Sequence, residues 1–304
     1  MTATNQLVLR SDGGGRLGWG HVARSFALAQ AWIDDSGSAT LATRELSHAW
    51  SARCAAEGVA VAHPDRVDYA AAAWIVIDGY QFTAADRVAI DSARRPVLLV
   101  DDHGLSDAGR ATAILDQNLG ASASSYPDGP ALLLGPHYAL LRREFRTTPA
   151  PPRDGFARRI LISMGGAPTT EAHRAFVTAL VGVNLEVVTL AGVEAVAMAM
   201  AASDLALAAS GSTCWELCCM GVPAVLVALA ANQKPLVTAL AAAGIAFDGG
   251  GIEDFDPART ARLISALAAD CDARRDMAER GRALVDGKGA ARVVAAIRQI
   301  ERSF

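Results

Sequence analysis

His21 ends the glycine-rich stretch Ser11-Asp12-Gly13-Gly14-Gly15-Arg16-Leu17-Gly18-Trp19-Gly20, and its presence there asks for a reason. Glycines let backbone N–H groups approach a phosphate, and a helix N-terminus favours negative charge, so a strand, a glycine loop and a helix start together make an anion cradle. Such a cradle does not need an imidazole. An imidazole titrates near neutral pH and suits a general base, while the plainer alternative is a histidine that only caps the helix after it.

Two more loops carry the same signature, Ser163-Met164-Gly165-Gly166 and Ala209-Ser210-Gly211-Ser212-Thr213-Cys214-Trp215-Glu216. One such loop is weak evidence, because strand-to-helix turns often need a glycine for geometry alone. Three at equivalent places in two halves argue for a nucleotide or phosphate ligand. None matches the dinucleotide fingerprint or the P-loop. Ser212 and Thr213 can cap the following helix and donate to a phosphate. Glu216 can accept from two ribose hydroxyls, or it can close a capping box with Thr213; both readings stand. Asn232-Gln233-Lys234 offers polar groups at a strand end, as ligand contacts or as a solvated turn.

Metal chemistry has weaker support. Cys214 and Cys218 share a helix face and Cys219 adjoins them, but no histidine or further cysteine nearby completes a zinc set. Asp101-Asp102-His103 at a strand end could hold a divalent cation, yet it also reads as scaffold. No metal and no cofactor is expected.

These loops need strands and helices to aim them. Short apolar runs at Leu7 to Leu9, Ala39 to Ala42, Val59 to Ala62, Trp74 to Ile77, Val97 to Val100, Ala113 to Leu115 and Leu132 to Leu134 mostly lack polar alternation, as parallel strands covered on both faces do. Helix-like segments such as Ser47 to Glu57 and Ala84 to Ala93 lie between them. Pro149 to Gly155 breaks the pattern and reads as a linker. A second series follows, with strands at Arg159 to Ser163, Leu185 to Leu190, Leu205 to Ala208 and Ala224 to Ala228, and a helix at Glu171 to Val181. Pro257 to Phe304 reads as two helices separated near Gly287-Lys288-Gly289. The fold class is therefore α/β, two doubly wound Rossmann-like domains expected to face each other across a cleft. The expected boundaries are 1–148, a linker at 149–155 and 156–304, with the last helix able to return to the first domain.

Composition bounds the rest. Hydrophobic residues make up 52% and charged residues 20% of 304, which excludes disorder. A net charge of −4 gives no sign of nucleic-acid binding. The uncharged run Leu217 to Gln233 contains Gly221 and Pro223 and reads as helix, turn and strand rather than a membrane span. The absence of a signal-peptide pattern and an odd count of five cysteines lead us to expect a reducing cytoplasm.

Several motifs occur together in one order: Arg10-Ser11-Asp12, the loop to Gly18-Trp19-Gly20-His21 with Arg24, Ile77-Asp78-Gly79-Tyr80, Val100-Asp101-Asp102 and Asp116-Gln117-Asn118. Tyr138-Ala139-Leu140-Leu141-Arg142-Arg143-Glu144-Phe145, Ile162 to Gly166, Ser210 to Glu216 and Asn232-Gln233 follow. In these the chain resembles, over nearly its whole length, the UDP-sugar hydrolases of the pseudaminic acid pathway (PseG), which cleave UDP from UDP-2,4-diacetamido-2,4,6-trideoxy-β-L-altropyranose. The resemblance implies a GT-B fold like that of the peptidoglycan UDP-N-acetylglucosaminyltransferase MurG, with no cofactor, a small-molecule UDP-sugar as substrate and enzymes of the same pathway as partners.

It also implies roles. His21 is the base, with Tyr80 near the sugar and Asn232 completing the catalytic set; Glu216 holds the ribose. Further contacts to substrate or UDP fall to Asp12, Gly18, Gly20, Arg24, Gly165, Gly166, Ser210, Gly211, Ser212, Thr213 and Gln233. Most UDP contacts then belong to the second domain. UDP leaves readily once its charge is stabilised, so the second carboxyl of an inverting glycosidase is dispensable and one base activating water is enough. Two rivals stay open, a glycosyltransferase using an acceptor hydroxyl and a sugar-nucleotide-binding protein without turnover.

Overall fold

The computed structural model describes residues 5–15, 17–102, 104, 109–149, 155–165, 170–189 and 195–303. The chain divides into two compact units, residues 1–143 with 287–304, and residues 144–286.

The first unit is a seven-stranded parallel sheet in the order β3-β2-β1-β4-β5-β6-β7. Its strands are β1 (Gln6–Ser11), β2 (Ser38–Ala42), β3 (Val59–Ala62), β4 (Trp74–Asp78), β5 (Val97–Val100), β6 (Ala113–Asp116) and β7 (Ala131–Leu134). The apolar runs form these strands because both faces are covered: Val8, Ile75, Ile77, Leu99 and Ile114 share one buried cluster. Helices α1 (Gly20–Asp34), α2 (His48–Ala56) and α3 (Ala84–Ala93) follow β1, β2 and β4, and short 3-10 turns join β3 to β4.

In the second unit α4 (Glu144–Thr147), α5 (Thr170–Ala179), α6 (Val196–Ala201), α7 (Thr213–Met220) and α8 (Lys234–Ala242) accompany β8 (Arg159–Ser163), β9 (Glu186–Thr189), β10 (Leu205–Ala209), β11 (Ala224–Ala228) and β12 (Ala246–Gly251). The five strands are parallel in the order β12-β11-β10-β8-β9. Ile160, Ile162, Leu205, Leu207, Val225 and Val227 form the core between the sheet and its helices. Among the described residues no helix is long and apolar enough to cross a membrane.

Two details depart from the pattern read in the sequence. Strand β12 was not expected, because Ala246-Phe247-Asp248-Gly249-Gly250-Gly251 is poor in strand formers; pairing with β11 at the sheet edge orders it. The C-terminal stretch is three helices rather than two: α9 (Pro257–Ala269), α10 (Cys271–Leu284) and α11 (Gly289–Glu301). Asp270 ends α9 and its side chain accepts from Ala273 N, which starts α10 without a glycine or proline to announce the break. Helix α11 belongs to the first unit, where Val293, Val294 and Ile297 are buried and Arg298 lies 3.8 Å over the Trp32 ring and pairs with Asp35.

Candidate active site

In an open parallel sheet, ligands bind outside the carboxyl ends of the strands where the strand order reverses. In the first unit that point lies between β1 and β4. The loop leaving β1 closes on itself through Gly14 N to Gly18 O at 2.8 Å, and buried Gly18 adopts φ 69°, a conformation that favours glycine. It delivers His21 as the second residue of α1. Strand pairing sets Asp78, the last residue of β4, beside Ser11, the last of β1. The two side chains meet, with His21 Nδ1 2.6 Å from Asp78 Oδ1.

Arg24, one turn further along α1, grips the same carboxylate with both arms of its guanidinium. Nε donates to Asp78 Oδ2 at 3.0 Å and Nη2 to Oδ1 at 2.6 Å. Asp78 is fully buried and Arg24 nearly so. A second ring of polar groups at the ends of β5 and β6 supports Arg24. Its Nη1 reaches Asp102 at 3.4 Å, and Asn118 Nδ2 donates to Asp102 Oδ1 at 2.5 Å and to Asp116 Oδ1 at 2.9 Å. The Tyr126 hydroxyl sits 2.9 Å from Asp116 Oδ2 and 3.0 Å from Asp101 Oδ2.

Charge fixes the protonation pattern. Burial pushes the Asp78 carboxyl upward, but Arg24 and then His21 outweigh it, and the group ends below its ordinary range and stays ionised. An ionised carboxylate at 2.6 Å needs a donor opposite it, so the neutral imidazole of His21 carries its proton on Nδ1, the tautomer in which Nε2 is the acceptor. Arg24 Nη2, 2.9 Å from the same Nδ1, is then a second donor sharing the Asp78 acceptor. Tyr126 is pushed up by burial, then by Asp116 and Asp101, and remains a neutral donor.

Tyr80 packs edge-on against His21, with ring centroids 5.2 Å apart, and is 43% exposed. Beside it, both polar atoms of the Gln81 side chain are buried without a hydrogen-bond partner. Gly20 opens α1. Asp12 turns the other way, toward the residues after β2. Both its oxygens accept from Arg10, at 2.6 and 2.7 Å, and Oδ1 also accepts from Arg44 N at 2.9 Å. Burial raises the Asp12 carboxyl, and the Arg10 and Arg44 contacts more than reverse it.

The second unit reverses strand order between β8 and β10. Gly165, at φ 63°, leaves β8, and a Cβ on it would lie 3.5 Å from Thr213 Oγ1 at the start of α7, which follows β10. Gly166 lies outside the described residues, as do Ala167, Pro168 and Thr169. A Cβ on Gly211 would lie 3.8 Å from Gln233 Nε2, and Ser210 Oγ donates to Gln233 O at 3.5 Å. The three loops singled out in this half of the sequence therefore adjoin one another. Gln233 is held by accepting from Leu229 N at 2.8 Å, while Asn232 is exposed and Lys234 pairs with Glu253. Ser212 is the N-cap of α7 and its side chain makes no cap hydrogen bond, so a Thr213–Glu216 capping box does not start this helix; Glu216 sits in its first turn.

Cys214 and Cys218 are buried, and burial pushes the Cys214 thiol up to about 11, so both pack as neutral side chains. Among the described residues, no group of three or more His, Cys, Asp or Glu side chains is placed to hold a metal ion.

The sequence assigns no site role to Asp78, Asn118 or Tyr126, and considers Asp102 only as a metal ligand beside Asp101 and His103, the last of which lies outside the described residues. The available signal was an acid ending each of three apolar strands, at Asp78, Asp101 and Asp116, where a continuous hydrophobic run meets a charge.

No protein-family model matches the chain, and no curated protein matches it by sequence. Solved structures do. The chain is similar to the MurG of Acinetobacter baumannii, with a TM-score of 0.67 and 15% identity over 97% of this chain and 99% of that one. It is similar to CalG4, the calicheamicin glycosyltransferase, with a TM-score of 0.56 and 16% identity over 98% of each chain. It is also similar to the spinosyn rhamnosyltransferase SpnG, with a TM-score of 0.61 and 16% identity over 96% of this chain and 99% of that one. At such identities the fold is what is shared: two parallel-sheet, Rossmann-like α/β units of the GT-B class.

Proposed function

We propose that this protein cleaves the bond between UDP and an amino or deoxy sugar, with His21 as the general base. The observation that carries this reading is the 2.6 Å contact between His21 Nδ1 and the buried Asp78 carboxylate. A base held in that tautomer presents Nε2 to a nucleophile, and the ionised Asp78 stabilises the imidazolium that forms. Water gives its proton to Nε2 while its oxygen bonds to the anomeric carbon. The sugar C–O bond breaks on the opposite face, its electron pair leaves with UDP, and the anomeric centre inverts.

We assign the diphosphate and ribose to the second unit. The first-turn amides of α7 and the Ser210 and Ser212 hydroxyls suit the leaving charge, Glu216 suits the ribose hydroxyls, and Gly165 and Gln233 line the same cluster. Tyr80, exposed beside His21, is the platform for the sugar. Asn232 is kept as a neutral donor toward the leaving group.

Water is taken as nucleophile on the resemblance of the His21 loop to the hydrolases. A transferase using an acceptor hydroxyl is the second reading. It is favoured by two similar structures bearing the names of glycosyltransferases. The same dyad serves either. A panel of UDP-sugars in oxygen-18 water, led by UDP-2,4-diacetamido-2,4,6-trideoxyhexose, separates them. Hydrolysis by the proposed route releases UDP without an acceptor and puts the label in the sugar. Release only with an added acceptor assigns the transferase, label in UDP overturns C–O cleavage, and tight UDP binding without release overturns turnover altogether.

A further inference from the structure

At the amino-terminal ends of β5 and β6, the first sheet carries a basic cavity that takes no part in the chemistry above. It has a volume of about 330 Å³ and is lined by Arg94, Arg95 and Arg110, with Asp91, Val97 and Thr112. Val97 begins β5 and Thr112 immediately precedes β6, whereas Asp101 and Asp116 stand at the other ends of the same strands. The cavity is thus a strand's length from the His21 cluster, on the amino-terminal side of the sheet.

Three features set this cavity apart. Arg95 Nε is buried and has no hydrogen-bond partner. No ion pair joins any of the three guanidinium groups to a carboxylate among the described residues, Asp91 included, although the unit pairs Arg10, Arg24, Arg44, Arg143 and Arg298 with acids. Arg94 ends α3 at φ 51°, a left-handed position usually given to glycine or asparagine; of the other described non-glycine residues, only Ser36 has a positive φ. Three cations against one carboxylate leave an excess of two positive charges in a protein whose net charge is −4.

We propose that this cavity binds a small phosphate-bearing ligand. A phosphate dianion matches the charge excess, and its oxygens match the forked donors of guanidinium better than a single carboxylate does. The Thr112 hydroxyl, whose oxygen accepts from Val97 N at 3.1 Å, has a proton to donate to the same ligand. The site does not depend on what His21 does.

The test is titration calorimetry of the full chain with inorganic pyrophosphate, in which the arginine variants below tell binding at this cavity from binding at any diphosphate site in the second unit. One pyrophosphate binds with a dissociation constant below about 1 mM. Arg95→Ala and the pair Arg94→Ala/Arg110→Ala each weaken it about tenfold or more, and Arg95→Lys, which keeps the charge but loses the fork, weakens it several-fold. His21→Ala leaves it unchanged. Should Arg95→Ala fail to fold, the exposed pair Arg94 and Arg110 decides the matter. Absence of binding at millimolar pyrophosphate, or binding indifferent to the Arg94/Arg110 pair, overturns the proposal.

Discussion

The two units reverse strand order at one point each, and the two points are built from different chemistry. In the first, a buried ion pair, Arg24 with Asp78, holds an imidazole in one tautomer, and Asp102 and Asn118 brace the arginine. In the second, Gly165, Ser210, Gly211 and Thr213 bring loops together through hydroxyls and close backbone. Charged side chains fixed in low dielectric suit proton transfer, while backbone and hydroxyl donors suit holding an anion that must later leave. On the proposed mechanism the shared architecture divides the labour, and variants should divide the same way, into rate effects from the first unit and binding effects from the second.

The largest effect belongs to His21→Ala, which should lower kcat for UDP release by about 10²- to 10⁴-fold with little change in UDP affinity. Asp78→Asn comes next. It keeps the shape but no longer demands a proton on Nδ1, and kcat should fall by about 10²-fold or more, with UDP binding by calorimetry unchanged. In Glu216→Gln the KM for the UDP-sugar should rise about tenfold while kcat holds, as for an interaction made equally in ground and transition states. Equal losses of kcat from the two units would break the comparison. Asn118→Ala, acting through Asp102 and Arg24, should lower kcat about fivefold, and pH–rate profiles should show whether the base limb moves with it.

Stability offers a separate view of the same contrast. The folded state holds the Asp78 carboxyl below its ordinary range, so its contribution is present above that range and is lost as pH falls through the lowered value. Urea unfolding followed from neutral to acid pH should show a decline that is shallower in Asp78→Asn. At neutral pH, Asp78→Ala leaves Arg24 buried without its main partner and should cost about 3–5 kcal/mol.

Much of the scaffold was legible because parallel strands are buried on both faces and announce themselves as continuous apolar runs. Arg159 to Ser163 and Ala224 to Ala228 are strands over those same residues. Strand β12 was not legible, since three of its six residues are glycines, nor was the break at Asp270, where a side-chain cap does the work of a helix breaker. In the candidate site, His21 was visible from its loop, but its partner was not. Asp78 is 57 positions away, and only the register between β1 and β4 brings the two together. Spacing along the chain holds no trace of that register. The same holds for Arg24, whose two contacts with Asp78 depend on which face of α1 meets the sheet.

On the proposed mechanism His21, oriented by Asp78, deprotonates the nucleophile that displaces UDP. Single-turnover UDP release from a cleaved UDP-sugar, measured for the wild-type chain, His21→Ala and Asp78→Asn with UDP binding recorded on the same samples, tests it most directly. Release should be at least about a hundredfold slower in both variants at unchanged UDP affinity. Release at wild-type rate by a folded His21→Ala protein would contradict it.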